Sequence, residues 1–86
     1  MDIDNLSKNI KAKLLTNPSI ENVVIEDKTY LHLKHASHDK NKFHIKLIIT
    51  SKYLKKKNKI QSTKEIYKIL EDELKKYIHS IQILII

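Results

Sequence analysis

The chain has no cysteine, no glycine, no tryptophan and no arginine, and only one proline, among its 86 residues. Without cysteine it forms no disulfide and cannot itself offer a thiolate as nucleophile or metal ligand. Without glycine it has no phosphate-cradling loop, and no G-x-x-G clamp by which a class of RNA-binding domains approaches the nucleic-acid backbone. Without arginine it lacks the planar fork that grips phosphate and guanine bidentately. This argues against base-specific recognition but leaves nonspecific phosphate attraction open. Long apolar runs are missing too. The most apolar stretch, the closing "IQILII", falls far short of the ~20 residues that a membrane-spanning helix needs. The opening "MDIDNLSKNI" has neither a basic region nor an apolar run, so no secretory signal is expected, and its two aspartates without arginine argue against a transit peptide. The expected protein is soluble, intracellular and off the membrane. The cytoplasm is the first expectation and the nucleus the alternative; an organelle stays open should the chain be a trimmed form.

What is present is lysine and isoleucine. All 17 basic residues are Lys, against 10 acidic ones, for a net charge of +7. Such a balance suggests a polyanionic partner. Lys, Asn and Ile are also the trio that an AT-rich coding sequence favours, so part of the charge reads as codon bias. The length fits one small domain over residues 1–86. A chain of this size buries only roughly 60–65% of the surface its unfolded form exposes, which leaves little room for a deep catalytic cavity. Its stability must come from apolar packing, chiefly of isoleucine.

The periodicity predicts five elements. Residues 3–15, "IDNLSKNIKAKLL", carry Ile3, Leu6, Ile10 and Leu14 at helical spacing, with Asp2 or Asp4 as cap and Asn17 before Pro18 as stop. Residues 21–28 are short and β-branched and predict a strand. Residues 43–51 alternate, with Phe43, Ile45, Leu47 and Ile49 on one face and His44, Lys46 and Thr50 on the other. Residues 52–59 read as a basic connector. A helix is expected over 62–77, opened by a capping box of Ser62 and Glu65. Its apolar stripe is Ile66, Ile69, Leu70, Leu74 and Tyr77, with Tyr67 on or near it. Residues 79–85 read as a last strand, with Ile81, Ile83 and Ile85 on one face. The predicted fold is α+β, in the order α-β-β-α-β, with a three-stranded mixed sheet and helices on one face.

Histidine and lysine carry what chemistry there is. Four of the five histidines fall in residues 30–44, "YLHLKHASHDKNKFH". His32, His35 and His38 recur every three residues. They read either as a solvated loop or as part of a zinc site, although a structural zinc site wants four ligands. His44 alternates onto the polar side of its strand and is expected at the surface. His79 follows the long helix, where the dipole favours an imidazolium. Lys52, Lys55, Lys56, Lys57, Lys59 and Lys64, with Tyr53 among them, form a basic patch. It reads as a solvated face or as a weak nucleic-acid contact, in which Tyr53 would stack on a base. The chain has no trusted Ser-His-Asp order and its acidic residues are scattered, so no enzyme is expected.

The run "FHIKLIITSKYLKKKNKIQSTKEIYKILEDELKKYIHSIQI" and the order of elements resemble the BolA family, whose α-β-β-α-β architecture is related to KH domains. "KFHIKLIITS" resembles the family's S-H-F-K-V-V-L-V-S strand, with His44, Lys46 and Ser51 in register. "IYKIL" resembles its V-Y-x-x-L helix pattern at Ile66, Tyr67 and Leu70. "IHSI" resembles its V-H-A-L strand opening at Ile78, His79 and Ile81. The chain departs from the family where Leu54, Lys55 and Lys56 replace F-x-G, where Ser62, Thr63 and Lys64 replace R-H-R, and in lacking the aromatic tail.

The resemblance implies a non-enzymatic adaptor in iron–sulfur trafficking or iron sensing. Its implied partner is a monothiol glutaredoxin, with which it would share a [2Fe-2S] cluster together with glutathione. The implied ligands are His79 and, from the loop between the first two strands, His35, nine residues before His44; His32 and His38 are alternatives to His35. No cofactor is expected on the isolated protein. The runner-up reading is a nucleic-acid-binding module or transcriptional regulator that uses residues 52–59 and the following helix.

Overall fold

A computed structural model of the chain describes residues 1–29 and 42–86. The elements are α1 (Ile3–Leu15), β1 (Asn22–Asp27), β2 (Phe43–Thr50), α2 (Lys52–Lys56), α3 (Lys59–Ile69), α4 (Glu71–Lys76) and β3 (Ile78–Ile85). The strand order is β1-β2-β3. β1 runs antiparallel and β3 parallel to the central β2. The sheet is therefore mixed, as the sequence predicts.

The helix α1 forms where its apolar spacing demands. Leu6, Ile10 and Leu14 are buried, and the Asp2 carboxylate caps the start by accepting from the Asn5 N–H at 2.8 Å. Val23 pairs with Ile49 and turns to the same side as Ile45 and Leu47. All four pack with Leu6, Ile10, Leu14, Leu54, Ile66 and Leu70 in one core. Fully burying each such side chain contributes about 1.5–3 kcal/mol. The helices cover this one face. The other face leaves Val24 and Leu84 exposed.

Between β2 and β3 the structure corrects four expectations. Residues 52–59 are not a plain connector, because Lys52–Lys56 form the short helix α2, capped by Ser51. Ser62 does not open the next helix. α3 begins at Lys59, with Asn58 accepting from the Ile60 and Gln61 N–H groups. Ser62 stands four residues before Ile66, which turns it inward. It is fully buried and donates to the Leu54 carbonyl at 2.7 Å. The expected 62–77 helix is also interrupted at Leu70, whose φ of −99° and ψ of 19° separate α3 from α4. Tyr67, expected near the core, is 43% exposed, because its neighbours Ile66 and Leu70 fill the inward stripe.

Two serines and one ion pair fasten these pieces. The Ser51 Oγ accepts from the Leu54 N–H at 3.1 Å and donates to the Ser19 carbonyl at 2.7 Å, so it ties α2 to the segment before β1. On α4, Glu73 is buried and meets Lys13 of α1.

Candidate functional site

Parallel pairing puts the starts of β2 and β3 at the same end of the sheet, and antiparallel pairing brings the end of β1 there as well. His79 stands at this end, one residue into β3. Thr29 and Lys42, which bound residues 30–41, stand at it too. The Lys28 N–H donates to the His44 carbonyl at 2.7 Å. The Thr29 Oγ1 accepts from the His44 N–H at 3.1 Å and donates to Asp27 Oδ1 at 2.6 Å. His35, the other implied ligand, lies outside the described residues, as do His32 and His38.

His79 owes its position to a slip in the ladder. Phe43 pairs with Ile78 but His44 pairs with Ser80, so His79 is an extra residue on β3. Counted back from Ile85, Ile83 and Ile81 at a period of two, position 79 would face the helices. The bulge turns it out, so Ile78 is buried while His79 and Ser80 are both exposed. Bulges re-aim side chains in this way and recur beside functional sites.

The His79 ring does not stand alone. It is stacked on His44, with centroids 4.8 Å apart and planes at 28°. His44 Nδ1 lies 2.6 Å from Ser80 Oγ. His44, expected at the surface, is only 6% exposed. The alternation placed it correctly on the face opposite Ile45, but β3 runs beside it and brings His79 and Ser80 against the ring. Ser80 and the bulge were missed in the sequence. Their signal was there: two polar residues between Ile78 and Ile81 break the period of two.

Among the described residues no group of three or more His, Cys, Asp or Glu is arranged to hold a metal ion. His79 can offer a ring nitrogen outward, and any thiolate ligand must come from another molecule, since the chain has no cysteine.

The basic candidates gather at the opposite end of β3. Lys52, Tyr53, Lys55, Lys56, Lys59 and Lys64 are exposed. Lys57 differs: its ammonium is hydrogen-bonded to Glu65 and lies 4.5 Å over the Tyr53 ring. The Glu65 hydrogen bond first, and then Tyr53, raise the Lys57 ammonium above its ordinary 10.5, against opposing desolvation. One face of Tyr53 is thus already covered by the chain's own cation. Lys55, Lys57 and Lys59 rim a groove of ≈ 250 Å³ floored by Leu54, Ile83 and Ile85. Among the described residues no helix is long and apolar enough to cross a membrane.

A family model described as BolA-like protein matches residues 14–86. The structure is similar to the BolA domain of SufE1 from Arabidopsis thaliana, at 31% identity and a TM-score of 0.73, covering 91% of this chain and 86% of that one. It is also similar to BolA1 from Arabidopsis thaliana, at 26% identity and a TM-score of 0.77, covering 96% and 92%. No curated protein sequence matches the chain.

Proposed function

The chain belongs to the BolA-like family, and from that premise we propose that it is a non-enzymatic adaptor that pairs with a monothiol glutaredoxin and shares a [2Fe-2S] cluster with it. The observation that supports this reading is His79: an exposed imidazole on a bulge, at the sheet end where the residues bounding the histidine-rich segment converge. His79 is the first ligand in this proposal and His35 the second.

The donor chemistry fits. A [2Fe-2S] cluster accepts two imidazoles in place of two thiolates on one iron, which raises its potential. A chain with no cysteine can hold such a cluster only when a partner and glutathione bring the sulfur. Imidazole ligates in its neutral form, so protons compete with iron. The protein's own part is to keep His79 turned away from the core and to present it to the partner.

The test is to mix the protein with cluster-loaded glutaredoxin and glutathione, then record size and visible circular dichroism. The expected product is a heterodimer whose spectrum differs from that of the glutaredoxin homodimer. A mixture that elutes as two separate species with an unchanged spectrum would overturn the proposal.

A further inference from the structure

We infer that His44 is a positioning residue for His79: it holds the exposed ring in one orientation by stacking, and is itself held by Ser80. This inference rests on the reading of His79 as a cluster ligand. A bulge residue has no cross-strand partner, so pairing does not fix its side-chain direction. An exposed histidine at such a place would sample several rotamers. Here a buried ring lies against it at 4.8 Å. That ring is anchored by its own backbone, whose N–H donates to Thr29 Oγ1 and whose carbonyl accepts from the Lys28 N–H. Its Nδ1 is engaged by the Ser80 hydroxyl at 2.6 Å, whichever of the two donates.

The His44 ring is nearly enclosed, with Nδ1 engaged by Ser80. Its effect is preorganisation. A side chain already ordered before binding does not lose its rotamer freedom on binding, which is worth about two- to tenfold in affinity. Outer residues that orient a ligating imidazole act in this way at metal sites generally.

The experiment uses the isolated full chain, so it is independent of any cluster. Ring order at His79 is measured by carbon relaxation in wild type, His44→Ala, His44→Phe and Ser80→Ala, with far-UV circular dichroism as a check on folding. His44→Ala should release the His79 ring, His44→Phe should keep it ordered through the retained stack, and Ser80→Ala should loosen it in part. An unchanged His79 order in both His44→Ala and Ser80→Ala overturns the inference, and so does equal loss in His44→Phe and His44→Ala. Should His44→Ala not fold, an unchanged His79 order in Ser80→Ala, or a lost one in His44→Phe, overturns the inference. In the glutaredoxin complex, the variants that release the ring should bind about two- to tenfold more weakly. Failure of wild type to form that complex would count against the proposed function and leave the ring-order result standing.

Discussion

Lys13 on α1 and Glu73 on α4, 60 residues apart in the chain, form a two-pronged ion pair, with Nζ 2.8 Å from each carboxylate oxygen. The carboxylate is buried while the lysine stem runs along the surface to reach it. The hydrogen bond to Glu73 first, and then the charges of Glu73 and Asp72, raise the Lys13 ammonium above its ordinary 10.5, against opposing desolvation. A group whose folded value is raised stabilises the fold fully below its unfolded value. That contribution is lost as pH rises through the folded value. Thermal unfolding of wild type should therefore weaken faster above pH 10.5 than that of Lys13→Met. At neutral pH, Lys13→Met should already be the less stable protein, because it leaves a buried carboxylate without its cation. Parallel loss of stability in both proteins through the alkaline window would contradict the pair's role.

Ser62 gives a second test. As an inward hydroxyl bonded to the Leu54 carbonyl, it should cost about 1–3 kcal/mol on replacement by alanine. Asn58→Ala should cost about 1 kcal/mol through loss of the helix cap. Urea unfolding of each variant measures both. No loss of stability in Ser62→Ala would contradict its place as an inward, bonded hydroxyl, and none in Asn58→Ala would contradict its role as the cap.

Nucleic acid should bind weakly, without sequence preference, and with a steep salt dependence, since only lysine-to-phosphate contacts are on offer. Lys55→Gln or Lys59→Gln should each lower the salt slope by about 0.9. Lys57→Gln should leave it nearly unchanged, because Lys57 already serves Glu65 and Tyr53. Titration of several duplexes by fluorescence anisotropy is the measurement. Nanomolar binding that favours one sequence would reverse the ranking of the two functional readings.

The elements with a clean period were legible in the sequence. Leu6, Ile10 and Leu14 announced α1, and Ile45, Leu47 and Ile49 announced β2, because burial on one side writes itself into spacing. What failed was decided across the chain. Ser62 and Glu73 sit on the same inward stripe as Ile66 and Leu70, yet both are polar, and only Leu54 and Lys13, from other helices, make that burial tolerable. His44 alternated as a surface residue does, and its enclosure by His79 and Ser80 depends on a ladder slip between two strands far apart in sequence. His79 is singled out as a proposed ligand by family resemblance alone. Its outward orientation depends on the bulge, which periodicity alone assigns to the opposite face. His35 falls outside the described residues.

The most direct test is the visible circular dichroism of the glutaredoxin–glutathione complex made with wild type and with His79→Ala, recorded from neutral pH to below about pH 6, where protons compete for imidazole ligands. Wild type should give a heterodimer spectrum distinct from that of the glutaredoxin homodimer and should lose its cluster on acidification. His79→Ala should abolish the distinct spectrum or release the cluster at neutral pH, while His35→Ala should weaken the complex less, because His32 and His38 neighbour it in sequence. A His79→Ala complex that keeps both the wild-type spectrum and the wild-type acid lability would contradict the assignment of His79 as a cluster ligand.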